Sequence, residues 1–560
     1  MSSASSDVSA ARSSVPSLPG EVQLATSFPA RDAVPAAMVW PATQPRVLIA
    51  GETRIYTAAT RDVVSPLWLR AHPGEAPQPT VIGQTAHVSV EVALEALNAA
   101  QAAWARGAGR WPTLRVEERI EAVERFTAAM VAVRDRVCRL LMWEVGKTWA
   151  DAQGEFDRTV QYIRDTIETL KSQDRDNSRL QFREGIIAQV RRAPLGVTLC
   201  MGPFNYPLNE TFATLIPALI MGNTAVVKLP RFGVLLWDPL LDAFAAAFPP
   251  GVVNIVNGQG SEIVPPLMQT GRIDVLAFIG SSKSADAIKG AHPRLHRLRC
   301  ILGLDAKNPA VILPDADLST TIPECIKGAL SFNGQRCTAL KIFFVHRDIA
   351  ERFTAALSDA VDSLPNGMPW APGVRLTPLV EPDKASRLDS YLRDAIAQGA
   401  AVANQARGGG SHAYTAYHPA VLSGVTPRMR IYHEEQFGPI LPIVPIADLS
   451  EFTEYMLETS YGQQAALFGQ DPATLGKLID VLSTQVCRIN LNSQCQRGPD
   501  VFPFTGRKSS AEGTLSVGDA LRSFSVRSMV AANGNAAGKA TVRAILDHDH
   551  SNFLSTDIIL

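Results

Sequence analysis

Cys337 lies in the run Ser331-Phe-Asn-Gly-Gln-Arg-Cys-Thr-Ala-Leu-Lys341, just after a glycine-containing turn. A cysteine presented on a turn can act as a nucleophile, adding as thiolate to a carbonyl carbon and carrying the acyl group as a thioester. Free cysteines are also among the most buried residues and often serve as small apolar side chains. The position alone leaves both readings open. Arg336 beside it shifts the weighing slightly, since a neighbouring cation favours thiolate. Asn205 stands between Pro203 and Pro207 in Met201-Gly-Pro-Phe-Asn-Tyr-Pro-Leu208, at the end of an apolar stretch, where an asparagine also suits a plain turn.

Four further blocks occur in order: Lys228-Leu-Pro-Arg231, Phe278-Ile-Gly-Ser-Ser282, Lys307-Asn-Pro309 and Glu435-Gln-Phe-Gly-Pro439. With the Asn205 and Cys337 blocks they resemble the aldehyde dehydrogenase superfamily over roughly residues 46–533. The resemblance implies that Cys337 forms a thiohemiacetal whose oxyanion is held by the Asn205 side chain and the Cys337 backbone N–H. One such donor is typically worth about 3 kcal/mol. It also places Lys228 at the adenosine ribose, Gly280 and Ser281 at a helix start near the pyrophosphate and nicotinamide, and Glu435 at the nicotinamide ribose with Phe437 beside it. Arg231 stands where NAD-preferring members often carry a glutamate. A carboxylate there would repel a 2′-phosphate, whereas a guanidinium can bind one bidentately. NADP is therefore expected, with NAD as the alternative.

A narrower resemblance is to the non-phosphorylating, NADP-dependent glyceraldehyde-3-phosphate dehydrogenases. It rests on Phe-Asn-Tyr-Pro, Gly-Gln-Arg-Cys-Thr-Ala and Gln496-Arg-Gly-Pro-Asp-Val-Phe-Pro-Phe504. That subfamily binds the substrate phosphate and hydroxyl with three arginines and a tyrosine. The matching positions are Arg158, Tyr206, Arg336 and Arg497, and planar guanidinium donors suit phosphate oxygens. The expected substrate is a small phosphorylated aldehyde, glyceraldehyde 3-phosphate first.

The chain departs from the family at one place. The usual Glu-Leu-Gly-Gly-Lys is here Gly303-Leu-Asp-Ala-Lys307, so Gly303 replaces the general base that activates water for thioester hydrolysis. Asp305 could supply the carboxylate instead. Alternatively the acyl group passes to coenzyme A or another acceptor, as in the methylmalonate-semialdehyde type, which also lacks this glutamate. A third reading is a catalytically impaired protein that still binds cofactor.

The elements that must position these residues are legible from periodicity. Residues 46–50 and 53–58 read as a hairpin. Apolar residues recur at helical spacing over 90–105 and 116–149, and again from 152 to about 170, where the charged run 171–177 breaks the pattern. Short β-branched runs at 196–201, 224–228, 251–256 and 275–279 alternate with helical stretches. A second series lies at 310–313, 342–345, 441–446 and 487–490. This predicts an α/β fold of two doubly wound parallel sheets. The resemblance adds a small β arm for oligomerisation and implies the domain plan. Residues 46–175 and 195–305 form the cofactor-binding domain, 306–508 the catalytic domain, and 176–194 with 509–533 the bridging and oligomerisation segments. The alternating run 180–191 and residues 524–530 read as exposed strands that pair across subunits, giving a homodimer or homotetramer. Residues 1–45 read as a disordered extension and 534–560 as a tail.

Composition sets the remaining bounds. Lys and Arg total 53 against 54 Asp and Glu, which argues against a nucleic-acid scaffold. Seven cysteines without a CxxC pair fit a reducing compartment better than a disulfide framework. The ten histidines lack metal-ligand spacing, so no metal is expected. No stretch is long and apolar enough to span a bilayer, and the cytoplasm is the expected location.

Overall fold

The structure, a computed structural model, describes residues 19–557 and residue 559. Aliphatic and β-branched runs form five strands, Val197–Met201, Thr224–Lys228, Val253–Val256, Val275–Ile279 and Arg299–Gly303. The first three are buried at every position, the pattern of strands covered on both faces. All five pair in parallel, and the chain reverses its direction of travel between Val197–Met201 and Val275–Ile279, which are neighbours. Such a switch point leaves a crevice at the carboxyl ends of the strands. The hairpin of Arg46–Ile49 and Glu52–Ile55 extends one edge antiparallel, and Ala511–Glu512 extends the other.

A second sheet holds, in order, Ala401–Val402, Ala420–Ser423, Ile440–Ile446, Leu340–His346, Asn308–Ile312, Gln464–Phe468 and Arg488–Leu491. Its pairings are parallel except at Ala401–Val402. A three-stranded antiparallel arm is built from Ser525–Asn533, Ile186–Pro194 and Gln181–Arg183. None of the helices among the described residues is long and apolar enough to cross a membrane.

Two expectations need correction. The helix Trp149–Asn177 runs straight through the charged segment. Its side chains find local partners there: Lys171 pairs with Glu168 at 3.2 Å, and buried Asp174 meets Arg191 of the arm at 3.3 Å. The unstructured extension does not include residues 19–45. Pro19–Thr26 is helical, Leu24 and Phe28 are buried, and Arg70 ties the segment down through Phe28 O at 2.9 Å and Ala25 O at 2.6 Å. Residues 1–18 of that stretch lie outside the described residues. At the other end, residues 534–557 begin with the helix Ala536–Asp547 and then return to the body, where Gln189 Nε2 donates to Ser555 O at 2.6 Å.

Candidate active site

A cavity of about 770 Å³ opens at the carboxyl ends of the first sheet's strands and reaches the loop that carries Cys337. Its walls contain all thirteen residues singled out above: Cys337, Asn205, Asp305, Lys228, Arg231, Gly280, Ser281, Glu435, Phe437, Arg158, Tyr206, Arg336 and Arg497. Gly303 lines it too.

Local structure explains how the two central residues are presented. Phe332 and Asn333 both adopt positive φ, which turns the chain sharply ahead of the cysteine. Lys341 Nζ and Asn308 Nδ2 then hold the Cys337 carbonyl at 2.9 and 2.8 Å. Among the described residues the Cys337 amide has no hydrogen-bond partner, so it is free to donate into the cavity. Asn205 is 5% exposed and donates from Nδ2 to Gln335 O at 2.8 Å, which fixes the amide beside the cysteine loop. The next helix, Asn209–Ile220, starts on Glu155, whose Oε1 accepts from the Leu208 and Asn209 amides at 3.1 Å each. Buried Lys147 pairs with Glu155 and lies 3.3 Å from the Tyr206 ring centroid, so one ion pair orients both helix and tyrosine.

The electrostatics differ from the sequence reading at Cys337. Burial pushes the thiol above its ordinary value, the charge of Glu210 pushes it further, and Lys341 and Arg497 oppose them. Arg336 is not the expected activator. Its Nη2 folds back onto Gly328 O at 2.8 Å and Lys327 O at 3.2 Å, although its buried Nε has no partner among the described residues.

The arginines expected to meet an anion are already engaged. Arg158 makes a bidentate pair with Asp500 at 2.8 and 2.7 Å. Arg497 pairs with Glu210 and lies 3.2 Å from Asp500. Glu210 is 7% exposed and was not singled out above; the signal available was an acid five residues after Asn205 at the head of an otherwise apolar helix.

Asp305 Oδ2 accepts from both the amide and the hydroxyl of Ser282 at 2.7 Å. It therefore caps the helix Ser282–Gly290, whose preceding residue Ser281 also accepts from Ser284. Glu435 is paired with Lys341 at 2.5 Å, and Phe437 packs edge-on against Phe204. Lys228 has no carboxylate partner among the described residues; burial and the charge of Arg61 push its ammonium down to about 8. Arg61 in turn feels exposed Arg231. Lys228 and Arg231 thus line the cavity, and the charge of Arg61, on the distant strand Thr60–Leu69 and unforeseen, acts on Lys228 and is coupled to Arg231.

A profile of the aldehyde dehydrogenase family matches residues 74–530, and the chain belongs to that family. It is 31% identical over 415 residues to an NADP-dependent glyceraldehyde-3-phosphate dehydrogenase of Streptococcus equinus, covering 73% of this chain and 84% of that protein. A malonate-semialdehyde dehydrogenase of Listeria monocytogenes is 27% identical over 410 residues, covering 72% and 82%. In three dimensions the chain is similar to the NADP-dependent glyceraldehyde-3-phosphate dehydrogenase of Bacillus halodurans C-125 complexed with NADP, with a TM-score of 0.78 at 29% identity, over 88% of this chain and 100% of that one.

Proposed function

We propose that this protein oxidises a small phosphorylated aldehyde, glyceraldehyde 3-phosphate first, through a thioester on Cys337 with NADP as hydride acceptor. The observation that carries this reading is one cavity lined both by Cys337 and Asn205 and by the cations Lys228 and Arg231, with the charge of Arg61 acting on Lys228 from nearby. Buried Lys228, without a carboxylate partner among the described residues, fits the adenosine end of a phosphorylated dinucleotide. Arg231 and Arg61 would hold its 2′-phosphate, and Glu435 and Phe437 its nicotinamide end.

Cys337 thiolate forms an S–C bond to the aldehyde carbon, and the carbonyl π pair moves onto oxygen. Asn205 Nδ2 and the Cys337 amide donate to that oxyanion. The carbonyl re-forms as a thioester when hydride leaves the carbon; a nicotinamide held by Glu435 and Phe437 would supply the acceptor for that hydride. Water then adds, a carboxylate takes its proton, and the C–S bond breaks to regenerate the thiolate and release the acid. For the last step Glu210 is the better placed carboxylate, because its charge acts more strongly on Cys337 than that of any other acid, whereas one oxygen of Asp305 is committed to the Ser282 cap. A phosphorylated substrate reaches Arg497 by displacing Glu210, which frees that carboxylate towards the reacting carbon.

Acyl transfer to coenzyme A is the second reading, favoured by Gly303, which leaves the usual base position empty of any side chain. Mixing the enzyme with glyceraldehyde 3-phosphate and NADP, without coenzyme A, and following reduced-cofactor absorbance tests the pair. Sustained turnover supports hydrolysis. A single burst equal to the enzyme concentration supports another acceptor, and no burst at all overturns the proposal.

The arm is proposed as the self-association surface of a homodimer or homotetramer. Phe182, Ile186, Val526 and Met529 expose 59, 41, 44 and 63% of their surface on its three strands, an apolar exposure that suits an interface. A monomer by sedimentation would overturn this.

A further inference from the structure

A second cavity, of about 560 Å³, shares no residue with the first. It lies between the helix Val116–Ala132, the arm strand Ile186–Pro194 and the C-terminal residues 550–553. Its charged lining is one-sided, with Arg119, Arg191 and Arg192 against Asp174 alone.

The two inner arginines have little carboxylate to answer them, and Arg191 is poorly satisfied. Arg119 is 4% exposed and donates to two backbone carbonyls, Ile220 O at 2.8 Å and Leu114 O at 2.6 Å. Burial without a bonded carboxylate pushes it down to about 10. Arg191 is 7% exposed; among the described residues its buried Nε has no hydrogen-bond partner, and its other nitrogens reach only long contacts, 3.3 Å to Asp174 Oδ2 and 3.4 Å to Phe553 O. Guanidinium groups are retained in such places when an anion can take their donors, because a buried unpaired charge is costly. The roof over them is held in place: Asn552 Nδ2 donates to Thr113 O at 2.8 Å, and Arg115 pairs with Asp549.

We infer that this cavity binds a small organic phosphate, with Arg119 and Arg191 on the phosphate and the body of the molecule against the apolar wall. The net excess of two positive charges matches a phosphate monoester dianion, and planar guanidinium donors match its oxygens. Trp104, Leu114, Leu170 and Met221 supply the apolar wall, and the volume is that of a small-molecule site. The occupant would clamp the arm and the C-terminal segment onto the cofactor-binding half.

Phenyl phosphate is the probe, titrated calorimetrically into the full-length protein. Arg158→Gln serves as the control for binding in the active site. Asn177→Asp places a carboxylate on the wall of the second cavity with almost no change of shape, and Arg191→Gln removes the unpaired donor. The expected result is two classes of site in the wild type. The class that survives in Arg158→Gln weakens at least about tenfold in Asn177→Asp and in Arg191→Gln. Should Arg191→Gln fail to fold, Asn177→Asp alone decides. A wild type with only the active-site class, or an Asn177→Asp titration identical to wild type, overturns the inference.

Discussion

Glu210 and Arg497, far apart in sequence, form an ion pair in the wall of the active-site cavity, and both charges act on the Cys337 thiol. Their effects oppose each other, Glu210 raising the thiol and Arg497 lowering it. The pair links three properties: the protonation of the nucleophile, the availability of an anion-binding arginine, and the supply of a carboxylate near the reacting carbon.

Glu210→Gln separates those properties. Removing the negative charge lowers the thiol from its raised position, so more thiolate exists at pH 7 and alkylation by iodoacetamide speeds up about two- to tenfold. Its pH profile moves to lower pH. The same change removes the proposed base, so steady turnover falls by about 10²-fold or more while the burst of reduced cofactor remains. An unchanged alkylation profile would show that the charge does not reach Cys337. Unchanged turnover would remove Glu210 as base.

Gly303→Glu is the complementary gain of function. A Cβ built on Gly303 meets Ile279 Cγ1 and Leu515 Cδ1 at 3.4 Å each, ordinary contact distances, and the position needs no left-handed backbone. The added carboxylate is expected to accelerate thioester hydrolysis by about 10²-fold where deacylation limits the rate. If coenzyme A is the natural acceptor, the variant turns over without it and the wild type does not. Equal steady rates for the two proteins, with no burst in either, would mean that hydrolysis is already fast.

Asp305→Ala tests the carboxylate that sequence alone suggested as base. Losing both bonds to Ser282 frays the start of Ser282–Gly290 and costs about 1 kcal/mol of stability, read as a lower melting temperature. The burst and the steady rate are expected to change together through weaker cofactor binding. Loss of the steady rate alone, with an undiminished burst, would return Asp305 to the role of base.

The strands and the site wall were largely legible because their signals are local. Val197–Met201, Thr224–Lys228 and Val275–Ile279 are continuous apolar runs, and the Asn205, Lys228 and Gly280 blocks sit where they end, at the cavity that all thirteen residues line. What was illegible depends on pairings distant in sequence. Nothing near Glu210 announces Arg497, and nothing in Thr60–Leu69 announces that the charge of Arg61 acts on Lys228. The same holds for residues 19–45, whose Ser, Ala and Pro content hides the two anchors, Leu24 and Phe28, that Arg70 secures. The charged end of Trp149–Asn177 stays helical because Asp174 has a partner in the arm, a fact absent from the segment itself.

Lys228 gives the cofactor reading a pH signature. In the free protein its ammonium titrates near 8, against an ordinary 10.5, chiefly through burial and then through Arg61. Between those values the folded, cofactor-free protein holds fewer protons than the unfolded chain, so this group makes stability rise with pH across that window. An anionic partner favours the charged form, so NADP binding takes up a proton there. Affinity for NADP is therefore level below about pH 8 and falls towards about tenfold per pH unit above it, until the pKa in the complex is passed. NAD, lacking the 2′-phosphate, should show a shallower decline, and Arg231→Ala should bring the two profiles together while weakening NADP by about tenfold or more. Fluorescence titration of both cofactors from pH 7 to 10 makes the comparison. Parallel profiles for NADP and NAD in the wild type would mean that the Lys228, Arg61 and Arg231 cluster does not read the 2′-phosphate.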